Sequence, residues 1–279
     1  MSLGLDLSAS EAKLARARVH LDALKREIQL VLKQSHPYTS SIVKIDPDSE
    51  WYSVRFMSHD MTEPGLGVIF GDVVHNLRCA LDYIVTQLVE KSKTPLTGNH
   101  EFPIFTDQQR YTKQVGTAMA AEKGGKLGGV IYGLQEIWDL QPFHRKPNPA
   151  IESFSGGDIA EAHVLFHIKR FSNADKHRLF AKPLPLIDRG GQLMFYHDAA
   201  VLEYETPKLP DWEANIEFEI ARVRLAKPTN VRLDANIALR VCFGTSAFAQ
   251  HTSGHGIDTG VLDEACKHVA MITDLFKAL

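Results

Sequence analysis

The sequence predicts an α+β protein: a bundle of about five helices, then an antiparallel β-sheet, then a C-terminal helix. Three observations carry this. The first two thirds of the chain repeats apolar residues every three to four positions, a stretch after 183 alternates with period two, and the tail from Thr259 returns to the helical period. The 279 residues suffice for one large or two modest domains, each with a buried core. The expected division is a helical part over 1–182 that includes a β-hairpin at 41–57, and a β part over 183–279 whose last helix packs back, as two parts or one globular unit.

Ser8 and Glu11 have capping-box spacing and predict the start of the first helix. Leu14, Ala17, Leu21, Leu24, Ile28 and Val31 then form a seam that packs on another helix, and His36-Pro37 ends it. SIVKI and WYSVRF flank the turn DPDSE and read as a hairpin that joins the β part. Residues 65–91 form a long helix with Val73, Leu77, Ala80, Leu81, Ile84 and Leu88 on one side and His75, Arg78, Cys79, Asp82 and Thr86 on the other.

Residues 93–106 read as a loop with an extended segment, followed by a helix over about 107–122. EKGGKLGG lacks P-loop spacing and reads as a flexible connection to a helix over 130–140, which Gln141-Pro142 closes. Asp158 is the expected N-cap of a helix reaching about Arg178. It carries Val164, Leu165, Ile168 and Phe171 on one side and His163, His167, Arg170 and His177 on the other.

In NVRLDANIALRVCF, Val231, Leu233, Ala235, Ile237, Leu239, Val241 and Phe243 alternate as in a strand with one buried face. QLMFYHD, VLEYE and NIEFEIARVRL are its expected partners in one sheet of about four strands, with a bulge between Ile220 and Val223. Val261, Ala265, Val269, Ile272 and Phe276 give the tail helix its apolar face.

A net charge of −3 argues against a dedicated duplex-DNA coat and leaves room for a local basic cluster. Cys79, Cys242 and Cys266 form no Cys-x-x-Cys pair and read as free, mostly buried thiols in a reducing compartment. The N-terminus does not read as a signal peptide, and no apolar run reaches the roughly 18 residues of a membrane span, so a cytoplasmic protein with no membrane partner is expected.

Two polar rows could carry chemistry. His75 and Asp82 project within about 20° of each other, with Arg78 between them, and Arg78 and Asp82 form an i,i+4 ion pair. On the later helix Arg170 and His177 align in the same way, with His163 and His167 nearby and Asn173 and Lys176 as further substrate-binding candidates. Facing each other across one bundle, the rows would combine imidazoles that move protons with guanidinium forks that fit a phosphate. Read structurally, the same residues are interhelical salt-bridge networks.

A metal-dependent hydrolase is the third reading, although no metal ligand and no cofactor are assigned. His163-x3-His167 lacks the glutamate of a zincin, His251-x3-His255 sits in a glycine-containing loop, and Asp72-x-x-His75 lacks the paired glutamates of a di-iron bundle. Gly65 and Gly67 do not complete a dinucleotide fingerprint. Cys79 beside His75 could form a thiolate and imidazole pair, although a small buried residue is the plainer reading.

The strings GDVVHNLRCALDYIV, FPIF, LQPF and NADKHRLF resemble the signature blocks of an uncharacterised family of bacterial proteins, a resemblance that implies no activity. Arg170-x6-His177 is similar to the Arg-x(4 to 6)-His motif of the HEPN superfamily, helical proteins many of which are metal-independent RNases. That resemblance implies that Arg170 holds the scissile phosphate of RNA and His177 transfers protons, commonly across a homodimer. Phe171 departs from the family's usual polar residue, and Arg78 meets Tyr83 where the motif would need histidine.

Overall fold

The computed structural model describes residues 3–34, 38–59, 64–144, 160, 163–176, 182–187, 201–205, 217–226, 239–244 and 257–279. The chain divides into two compact units, one of Met1–Lys25, Gly65–Ala181 and Thr259–Leu279, the other of Arg26–Pro64 and Lys182–Asp258. The α+β class holds: helices dominate the first unit and antiparallel strands the second.

In the helical unit, α1 (Ser8–Gln34), α2 (Pro64–Lys91) and α6 (Thr259–Ala278) are the long elements, and α1 runs on into the second unit. The α1 seam behaves as its spacing dictates: Leu14, Ala17, Leu21, Leu24 and Ile28 are buried, and Val31 is half-buried. Its cap differs from the expected box. Asp6 Oδ1 accepts the Ser8 amide at 3.0 Å, and Glu11 pairs instead with Lys277 of α6. Ser10, fully buried, donates to the Ala80 carbonyl at 2.8 Å and lies 3.3 Å from Thr273 Oγ1, so one hydroxyl joins all three long helices. The six apolar residues expected on α2 are all fully buried, and Leu262, Ala265, Cys266, Val269, Ile272 and Phe276 form the inner face of α6.

Among the described residues the unit has three shorter helices. α3 (Gln108–Gln114) and α4 (Leu134–Asp139) are each shorter than the period suggests. Asp107 caps α3, but Gly116, at φ +114°, ends it by turning the chain so tightly that a Cβ would lie 2.2 Å from the Ala120 carbonyl. α4 cannot start before Gly133, which sits at φ +69° with no room for a Cβ beside Phe276. The glycines between are tied down, not loose: Thr94 Oγ1 donates to the Gly129 carbonyl and His100 Nε2 lies 2.9 Å from the Gly128 carbonyl. A 3₁₀ turn, Pro142–His144, follows α4. α5 (Val164–Lys176) starts where His163 Nδ1 accepts the Leu165 amide; the expected cap Asp158 lies outside the described residues.

In the second unit β1 (Tyr38–Lys44) and β2 (Trp51–Ser58) form the expected hairpin, and β2 pairs with β5 (Glu217–Leu225), which pairs with β4 (Val201–Glu205). The order is β1-β2-β5-β4, antiparallel throughout. Val54 pairs with Ala221 and Arg55 with Glu219, so Ile220 is the extra residue of a bulge, and Ile220 and Ala221 are both buried.

One expectation about the sheet is corrected. β6 (Leu239–Gly244), the described end of the alternating run, is not in this sheet but pairs with β3 (Lys182–Ile187) in a separate ribbon. β3 carries Pro183 and Pro185, and among the described residues it pairs on one side only, where a strand tolerates missing donors. Residues 231–238 and the QLMFYHD segment lie outside the described residues.

Candidate functional site

The polar row of α2 meets a single extended segment, Glu101–Phe105. Arg78 is buried, with its side chain only 8% exposed. Its Nε donates to Asp82 Oδ2 at 3.2 Å, and its Nη2 reaches Asp82 Oδ1 at 3.1 Å and Glu101 Oε2 at 3.0 Å. Glu101 also pairs with Lys126 from the glycine-rich connection. Asp82 Oδ1 accepts the Phe102 amide at 2.8 Å. Arg78 and Asp82 thus close a charge-assisted network that holds the start of the segment against α2. His75 stands apart from it, exposed, with its Nε2 3.5 Å from the half-buried Cys79 Sγ.

Two further side chains hold the rest of the segment. Gln141, 2% exposed, accepts the Phe105 amide at 3.0 Å and donates to the Pro103 and Ile137 carbonyls, each at 2.9 Å. Lys169 of α5 donates to the Ile104 carbonyl at 2.6 Å, and its ammonium sits 4.6 Å from the centroid of the Phe105 ring. An extended segment with no sheet partner among the described residues must satisfy its amides and carbonyls elsewhere, and side chains from α2, α5 and the end of α4 do so for the Phe102 and Phe105 amides and the Pro103 and Ile104 carbonyls. The HNLRxALD, FPIF and LQPF strings therefore converge on one structural feature.

α5 buries Leu165, Ile168 and Phe171, and Phe171 packs edge-on against Phe70 of α2 at 5.1 Å. His163, His167 and Arg170 are half-buried, and Asn173 is exposed. His163 is brought against α6: its ring lies 5.0 Å from that of His268, edge to face. Because His163 Nδ1 accepts an amide, its proton is assigned to Nε2. Lys169 of α5 binds the same extended segment that Arg78 and Asp82 hold from α2. His177 and the Lys176 side chain lie outside what is described, as do His251 and His255.

Among the described residues no group of three His, Cys, Asp or Glu is arranged to hold a metal ion, and no helix is long and apolar enough to cross a membrane. Cys79 and Cys266 are free thiols, and burial pushes the Cys266 thiol up to about 11.

Sequence reasoning missed Glu101, Gln141, Lys169 and His268. Lys169 had a signal: it lies four residues after the buried Leu165, at the edge of the apolar face. His268 had none in spacing. Its Nε2 is buried without a hydrogen-bond partner among the described residues, and burial holds its pKa below the usual histidine value. A histidine kept neutral by the fold contributes stability that is complete above about pH 6.5 and is lost as pH falls below that value. Melting temperature measured from pH 7.5 to 5 should therefore drop, and His268→Phe should flatten the curve. An unchanged slope in the variant would assign the acid sensitivity elsewhere.

No family model, curated protein or solved structure matches the chain.

Proposed function

We propose that the helical unit acts on RNA, as a HEPN-like metal-independent endoribonuclease or as an RNA-binding relative that has lost cleavage. The observation that carries this reading is the place of Arg170. It sits half-buried midway along α5, a helix fixed by the burial of Leu165, Ile168 and Phe171, one residue beyond the lysine that binds the Ile104 carbonyl. The supporting partner is His177, seven residues on in the sequence, at the spacing of the Arg-x6-His motif. Arg170 would then fork a backbone phosphate while His177 takes the proton of the attacking 2′-hydroxyl. The P–O5′ bond breaks as the 2′-oxygen bonds to phosphorus, the proton held by His177 passes to the departing 5′-oxygen, and a 2′,3′-cyclic phosphate remains. Pairing of two copies would place two such helices in one site.

His75, Arg78 and Asp82 have a supporting part in this scheme, because the Arg78 guanidinium is engaged by two carboxylates. That same closure favours a second reading, a non-enzymatic interaction protein whose polar rows hold its elements in register. Incubation of the pure protein with mixed RNA, with and without EDTA, separates the two. Cleavage that persists in EDTA and disappears in Arg170→Ala and His177→Ala is expected of the nuclease. Intact RNA together with no RNA binding in any condition would remove the RNA reading and leave the interaction protein, and cleavage abolished by EDTA would transfer the activity to a metal hydrolase.

A further inference from the structure

The Glu101–Phe105 segment gathers more positive charge than its carboxylates take up. Arg78 and Lys126 engage Asp82 and Glu101. Lys169 and Arg110 are left over. Lys169 is bound to the Ile104 carbonyl and the Phe105 ring, and no carboxylate pairs with it among the described residues. Arg110 follows Asp107 into α3, but the Asp107 carboxylate accepts the Arg110 amide, and the exposed guanidinium has no ion-pair partner among the described residues. Tyr111, next to Arg110, packs its ring 5.7 Å from that of Phe105, the same ring that carries Lys169.

We propose that Lys169 and Arg110, backed by Arg78, form a phosphate-binding subsite on the helical unit. The Ile104 carbonyl uses one of the three ammonium donors of Lys169 and leaves two, and Arg110 offers its whole fork. A point charge and a planar fork within each other's field suit a tetrahedral oxyanion, whose several oxygens can accept from more than one donor. Burial, then the like charges of Arg78 and Arg110, disfavour the charged form of Lys169, and an anion bound there would relieve both effects. Only the choice of RNA as the source of the phosphate rests on the RNA reading; the subsite itself rests on the charges.

The test uses the full chain and inorganic phosphate at low, matched ionic strength, read by melting temperature and by calorimetric titration. Saturable stabilisation of the wild type is expected, with affinity weakened about tenfold in Arg110→Gln, as the loss of one charge-assisted contact would produce. Arg110 is exposed, so that variant should fold; Lys169→Gln, whose amide can still donate to the Ile104 carbonyl, serves as the second. No response to phosphate, or a response equal in wild type and Arg110→Gln, would overturn the subsite. Single-stranded RNA supplies the other arm. RNA binding weakened in parallel with phosphate binding identifies a backbone phosphate as the ligand, whereas phosphate binding sensitive to Arg110 with no RNA binding keeps the subsite for free phosphate and ends the RNA reading. RNA cleavage that needs Arg170 but ignores Arg110, in a protein that does not bind phosphate, would remove the subsite and leave the nuclease.

Discussion

Replacing Gln141 with leucine is expected to lower the stability of the protein by about 3 kcal/mol, because a buried donor or acceptor left unsatisfied costs about 1–3 kcal/mol. Gln141 satisfies three such groups: the Phe105 amide, the Pro103 carbonyl and the Ile137 carbonyl. Leucine fills most of the volume and satisfies none of them. The Ile137 carbonyl, at the end of a short helix, is the most easily rescued by water; the other two belong to the buried segment between Phe102 and Phe105. For a unit of this size the loss corresponds to a fall in melting temperature of roughly 6–12 °C. Thermal and urea denaturation monitored by circular dichroism should show it, and a change below about 1 kcal/mol would mean that the segment finds other partners.

Arg78→Met is the second large effect. The guanidinium is nearly buried while Asp82 and Glu101 keep about a third of their side chains exposed, 32% and 34%. Breaking a fully buried pair costs about 3–5 kcal/mol; with carboxylates this accessible to water, about 2–3 kcal/mol is expected. The double variant Arg78→Met with Asp82→Asn should recover part of the loss, since Glu101 keeps Lys126 while the carboxylate that loses its ion-pair partner is then neutral and its amide oxygen can still accept from Phe102, and the cycle should give a coupling above about 0.5 kcal/mol. If Arg78 acted chiefly in chemistry, the variant would keep its melting temperature and lose RNA cleavage. The network geometry points the other way: stability falls, and activity per folded molecule falls less than in Arg170→Ala.

How much of this was legible in the sequence depends on how far apart the partners lie. The α1 seam, the apolar side of α2 and the tail helix follow from a repeat of three to four residues, and the burial of Leu21, Leu77 and Val269 answers to it directly. The Arg78–Asp82 pair was legible for the same reason, being one turn apart on a helix. Glu101 was not, because it reaches Arg78 from a loop 23 residues away, and local spacing carries no information about where a loop returns.

Gln141 shows the same limit. Its position before proline marked the end of a helix, while its use depends on a segment 36 residues earlier. The short helices were overdrawn because the period continues through residues that Gly116 and Gly133 force into left-handed turns. β3 was obscured by Pro183 and Pro185, and the alternation of the later run said that one face is buried without saying which strand it pairs with. The bulge was legible because Ile220 and Val223, three residues apart, slip the phase of the alternation within a strand.

The central claim is that side chains from α2, α4's end and α5 hold Glu101–Phe105 as a fixed rail, and that this rail, not the α2 row by itself, organises the candidate site. Hydrogen exchange at the Phe102 and Phe105 amides tests it most directly, because each donates to one identified side chain, Asp82 and Gln141 respectively. Both amides should exchange only with global unfolding in the wild type. Gln141→Leu should speed Phe105 more than Phe102, and Arg78→Met the reverse. Fast exchange of both amides in the wild type, at free energies far below that of global unfolding, would contradict the account.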